Sequence, residues 1–131
     1  MKKGTLALLI YGRTDNWSPE RWKQRFDDVC RDRPVVLLPD PALDPAEVHY
    51  AAVWKPVPGA LAALPKLRVI FNLGAGVDAL MADDTLPAVP LVRVAVDDLT
   101  GRMTEYVVLH VLIHHRQEPY LRASQRDKRW A

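Results

Sequence analysis

Leu67-Arg68-Val69-Ile70-Phe71-Asn72-Leu73-Gly74-Ala75-Gly76-Val77-Asp78 is an apolar run that breaks into a turn of small residues and then resumes with helical character through Met81. A strand of residues 67–73 followed by such a turn is a β-to-α junction. Without side chains at Gly74 and Gly76 the backbone N–H groups can approach a ligand closely. A helix after the turn aims its partial positive charge at the same point. The expected product is an anion nest.

The rest of the chain alternates around this junction. Leu6-Ala7-Leu8-Leu9-Ile10-Tyr11 is apolar on both faces, as a central parallel strand should be. Ser18-Pro19-Glu20 has the form of a capped helix start, followed by Trp22, Phe26, Val29 and Cys30 at helical spacing, of which Trp22 and Phe26 are expected in the core. Val35-Val36-Leu37-Leu38, Ala51-Ala52-Val53-Trp54 and Leu91-Val92-Arg93-Val94 supply three further strands. Short helices are expected at residues 44–50 and 59–64 and after the nest at 77–81. Continuously apolar strands separated by helices predict an α/β fold with an open parallel sheet of about five strands, covered on both faces.

Composition excludes several classes. At 131 residues and 49% hydrophobic the chain can bury a core, and 18 basic against 16 acidic side chains are too balanced for nucleic acid as the main partner. The late cluster Arg122, Arg126, Lys128 and Arg129 is interrupted by Asp127 and reads as a solvated helical tail. Cys30 is the sole cysteine, so no internal disulfide forms and a cytoplasmic location is expected. Gly12-Arg13-Thr14-Asp15 ends the first apolar run without a small-residue cleavage pattern, which favours a buried strand over a signal sequence, and no stretch has the length of a membrane span.

From Met103 to about Arg116 the pattern changes. Tyr106, Val107, Val108, Leu109, Val111, Leu112 and Ile113 leave almost no polar face, so this helix is expected to be surrounded, and to find its cover in a homodimer.

Leu73-Gly74-Ala75-Gly76-Val77-Asp78, together with Trp54-Lys55-Pro56, Val89-Pro90-Leu91-Val92-Arg93, Met103-Thr104-Glu105-Tyr106-Val107, Tyr120 and Trp130, resembles the D-isomer-specific 2-hydroxyacid dehydrogenases, and within them the glyoxylate/hydroxypyruvate reductase branch. The resemblance covers nearly the whole chain in order. It implies a flavodoxin-like substrate-binding domain over residues 1–100, then a helical extension, residues 101–131, that begins a nucleotide-binding domain whose remainder is absent. It also implies reduction of a small 2-oxo acid by hydride from NAD(P)H, with a histidine as proton donor, a glutamate beside it and an arginine on the carboxylate. No position here matches those three, so no catalytic residue is assigned and the isolated chain is expected to be inactive and to hold no cofactor. What carries over is substrate binding by Gly74, Ala75 and Gly76, with Trp54 and Lys55 walling the pocket, and a place near the cofactor for Met103 and Thr104.

Other readings of the same residues stay open. Gly74-x-Gly76-x-x-Ala79 also fits a dinucleotide fingerprint, with Asp97 or Asp98 as the ribose acceptor, although it follows the fourth strand and Val77-Asp78 would crowd a pyrophosphate. A purely structural glycine turn is the plain alternative. His110 and His114 stand one helical turn apart but lack a third ligand, so no metal site is assigned. Glu105 suits the start of a helix, and Trp54 could be an ordinary core tryptophan. A free-standing carboxylate-binding module, or a remnant that binds nothing, are the alternatives in function.

Overall fold

The computed structural model describes residues 3–11 and 17–130; the reading of residues 12–15 as the end of the first strand lies outside them. The chain divides into two compact units, Met1–Val94 and Ala95–Ala131.

The first unit is a five-stranded, wholly parallel sheet. Its strands are β1 (Thr5–Ile10), β2 (Val35–Leu37), β3 (Val48–Trp54), β4 (Val69–Asn72) and β5 (Leu91–Arg93), and their spatial order is β2-β1-β3-β4-β5. This is the doubly wound order of flavodoxin-like folds. Leu8 pairs with Leu37 on one side and Ala52 on the other, and Phe71 pairs with Ala52 and Val92.

The six residues of β1 are all buried, and their alternation divides the core into two layers. On one face Ala7, Leu9, Ala51, Val53 and Ile70 meet Leu61, Leu64, Leu67 and Leu80. On the other, Leu6, Leu8, Ile10 and Ala52 meet Trp17, Trp22 and Phe26. Helix α1 (Pro19–Val29) carries Trp22 and Phe26 to that second face. Its start is as expected: the Ser18 hydroxyl accepts the Arg21 N–H at 3.2 Å, and proline occupies the first turn.

Three expected helices are shorter or missing. The one at residues 44–50 shrinks to a single 3-10 turn, Pro45–Glu47, because Val48 already pairs with Thr5 and Tyr50 with Leu6 and Val69. Residues 59–64 form no helix. Gly59 lies in the left-handed region at φ 82 with its N–H held by the Asp83 carboxylate, and single turns follow through Leu64 N–H to Leu61 O and Leu67 N–H to Leu64 O. After the glycine turn, α2 is one turn long, Asp78–Met81.

The second unit holds α3 (Asp97–His115) packed with α4 (Glu118–Arg126). The apolar helix thus begins six residues before Met103, with Asp97 and Asp98 in its first turn, where acidic side chains suit the dipole. Not one α3 side chain is buried; Val107 and Leu112 are 53% and 52% exposed. Arg122 pairs with Glu118 and Arg129 with Asp127, in keeping with a solvated basic tail.

Candidate functional site

In open parallel sheets, ligands bind beyond the carboxyl ends of the strands. Here the ends of β3, β4 and β5 come together: Leu73 donates its N–H to Val53 O at 2.9 Å, and Val94 donates to Gly74 O at 3.2 Å. The residues expected to bind substrate lie there. Trp54 is the last residue of β3 and Lys55 follows it; Gly74, Ala75 and Gly76 follow β4.

Gly74 packs against the edge of the Trp54 ring, so closely that a Cβ at 74 would stand 2.5 Å from Trp54 Cζ3. The Trp54 ring is in turn stacked on Trp17, 4.0 Å between centroids, and Trp17 on Trp22. A tier of three indoles thus fixes the ring whose edge meets the turn. Lys55 adopts φ 50, a left-handed conformation uncommon for a residue with a side chain, and its Nζ lies 5.7 Å from the centre of the Trp54 ring. Gly76 is not under the same constraint, since a Cβ there would meet only Asp78 Oδ2 at an ordinary 3.6 Å.

The amide groups decide what this turn can do. Among the described residues, the N–H groups of Ala75 and Gly76 meet no backbone acceptor, while the carbonyls of Gly74, Ala75 and Gly76 are all occupied. Free donors at the mouth of a sheet suit a small anion. The help expected from the following helix is much reduced, because one turn carries little macrodipole. The same fact counts against the dinucleotide fingerprint, which needs a full helix behind its glycines. So does position: the turn follows β4, whereas the strand order reverses between β1 and β3. The residues of this turn do not build a dinucleotide cradle.

Met103 and Thr104 lie on α3 in the second unit, both exposed; the Thr104 hydroxyl is used within the helix, donating to Thr100 O at 2.9 Å. Asp97 and Asp98 are in the first turn of α3, and Asp98 pairs with Arg102. The Tyr106 and His110 rings touch at 4.3 Å, and among the described residues no three His, Cys, Asp or Glu side chains gather as a metal site. No described helix is long and apolar enough to cross a membrane.

Two residues at the turn escaped the sequence reading. Asn72 and Arg93, paired across β4 and β5, donate side-chain hydrogen bonds to the turn's carbonyls. The available signal was a polar residue closing an otherwise apolar strand, Val69-Ile70-Phe71-Asn72.

Solved structures match almost end to end. The chain is 36% identical to a D-isomer-specific 2-hydroxyacid dehydrogenase from Xanthobacter autotrophicus, solved with NADPH and MES, over 98% of this chain and 41% of that one, with a TM-score of 0.77. Over that part of its length, the solved protein and this chain are similar in both sequence and fold. A probable 2-hydroxyacid dehydrogenase from Rhizobium etli, in complex with NADP, HEPES and L(+)-tartaric acid, matches at 33% identity and a TM-score of 0.80, over 100% of this chain and 40% of that one. An NADPH-dependent glyoxylate/hydroxypyruvate reductase from Sinorhizobium meliloti, with NADP and sulfate, matches at 32% and 0.76, over 98% and 40%. Among curated proteins, glyoxylate/hydroxypyruvate reductase A of Yersinia enterocolitica is 40% identical over 93 residues, 66% of this chain and 30% of that protein. The counterpart from Serratia proteamaculans is 36% identical over the same extent. No family model matches the chain. The match thus spans about 30% of the length of the curated proteins, and the resemblance read from the chain's motifs agrees with them.

Proposed function

We propose that this chain forms the substrate-carboxylate side of an NAD(P)-dependent 2-hydroxyacid dehydrogenase of the glyoxylate/hydroxypyruvate reductase kind, which reduces a small 2-oxo acid. The observation that carries the reading is the pair of free N–H groups at Ala75 and Gly76, set beside Trp54 and Lys55 at the carboxyl end of the sheet. A substrate carboxylate accepts from both amides, the Trp54 ring limits the room for its substituent, and the Lys55 ammonium adds favourable charge. The nicotinamide cofactor supplies hydride when bound, with Met103 and Thr104 near it; the residues described here act on the carboxylate, holding and orienting it. The ligands named in the solved relatives, NADP or NADPH with tartaric acid or sulfate, support an anion and a nicotinamide dinucleotide.

The reading extends to assembly and place. The first unit acts as the substrate domain, and the helices of the second, which begin at Asp97 rather than at the expected residue 101, as those of a nucleotide-binding domain. The exposed apolar residues of α3, 106–113, are the seam of a homodimer, and the single-cysteine composition supports a cytoplasmic setting.

Titration of the 131-residue chain with oxalate, followed by backbone amide NMR, tests the core of this. Backbone dipoles and one lysine give at best millimolar affinity. Ala75 and Gly76 are expected to shift first; shifts confined to another region reject the assignment.

A further inference from the structure

The turn's amides are free because its carbonyls are held from behind. Asn72, at the end of β4, is only 6% exposed, and its Nδ2 donates to Gly74 O at 2.8 Å and Gly76 O at 2.7 Å. Arg93, its register partner on β5, donates Nη1 to Ala75 O at 3.2 Å. Three consecutive carbonyls are therefore each fixed by a side chain from the sheet.

In a trans peptide the N–H and C=O of one unit point in opposite directions. Gly74 O shares its peptide unit with the Ala75 N–H, and Ala75 O shares its unit with the Gly76 N–H. Fixing those carbonyls toward Asn72 and Arg93 turns the two amides away from the sheet's own donors. Arg93 adds a second effect: a carbonyl hydrogen-bonded to a cation polarises its whole peptide unit and makes the opposite N–H a better donor. Arg93 has no carboxylate partner among the described ion pairs, and it is exposed, so its charge is open to an incoming anion and to salt.

We propose that Asn72 and Arg93 are the positioning residues of the carboxylate turn, Asn72 fixing its geometry and Arg93 both aligning and polarising the amide of Gly76. The proposal rests on the turn being a carboxylate site, and the test separates the two. Oxalate is titrated into the chain and the amides of Ala75 and Gly76 are followed. If the unaltered protein shows no shift there, the parent reading fails whatever the variants do.

If it binds, Asn72→Leu, close in size but without donors, is expected to weaken oxalate at least tenfold. Arg93→Met is expected to weaken it about threefold or more and to flatten the salt dependence. Arg93→Lys should restore the salt dependence with only part of the affinity, a separation that a purely structural role would not produce. Unchanged affinity in Asn72→Leu and Arg93→Met, with the amides of Val53 and Ile70 at their original shifts, overturns the proposal. Should Asn72→Leu fail to fold, the exposed Arg93→Met variant decides alone: wild-type affinity and salt slope overturn it.

Discussion

The six-membered ring of Trp54 fills the space that a Cβ on Gly74 would need, 2.5 Å from Cζ3, so the smallest residue type is required there by its neighbour rather than by its own backbone angles. Gly74→Ala is expected to destabilise the protein by about 1–3 kcal/mol, the usual cost of overpacking. Gly76→Ala, with an open 3.6 Å approach, should be neutral or stabilise by up to about 1 kcal/mol through loss of chain entropy in the unfolded state. Urea unfolding of the two variants checks the contrast, and Trp54→Leu should recover much of the Gly74→Ala loss.

Acid should loosen the tether between the turns at Gly59 and Asp83. The Asp83 carboxylate accepts from the Thr85 hydroxyl, the Gly59 N–H and the Thr85 N–H, and these bonds, the hydroxyl first, hold its pKa below the ordinary aspartate value. A pKa lowered in the folded state stabilises above the unfolded value of about 4, and that contribution is lost as pH falls through the folded value. Asp83→Asn should therefore unfold more easily than the wild type near neutral pH, with the gap closing on acidification below about pH 4. Equilibrium unfolding between neutral and strongly acid pH reads this directly.

Asp32 is also held well below the usual carboxylate range, by Arg33 first and Lys3 second, at an exposed position. The sign is the same as for Asp83, but here the partners are charged. The effect of Asp32→Asn on acid stability should fade in molar salt, while that of Asp83→Asn, whose partners are neutral, should persist. The comparison is one set of melting curves at two salt concentrations.

Helix α3 should bring chains together. Val107, Val108, Leu109, Val111 and Leu112 are each half exposed or more, and covering four such side chains is worth roughly 6–12 kcal/mol before the costs of association. Light scattering at micromolar concentration is expected to give a dimer or larger species, and Leu109→Glu a monomer. A wild-type monomer would show that this surface tolerates water.

The strands were legible because burial on both faces writes itself as an unbroken apolar run, as in residues 6–10 and 51–54. The short helices were not, because pairing of Val48 and Tyr50 with neighbouring strands outweighed local helical spacing at 44–50. At 59–64 the apolar i, i+3 spacing is real, since Leu61, Leu64 and Leu67 all enter the core. Successive single turns satisfy it as well as a helix does. The glycine turn was legible as a break of small residues after an apolar run, and the place of Trp54 beside it came from the family's motif. Asn72 and Arg93 did not: Asn72 shows in sequence only as a polar residue closing an apolar strand, and Arg93 reaches Ala75 O only once β4 and β5 pair.

The strand order has a consequence for synthesis. β1 leaves the ribosome first, yet it lies between β2 and β3, so its second edge stays unsatisfied until Trp54 has been made. Five consecutive apolar residues, Leu6 to Ile10, must wait through more than forty positions of growing chain. Because such long-range parallel pairing is slow to form and exposed while it forms, the segment that is most secure in the finished fold is the one most in need of protection during translation.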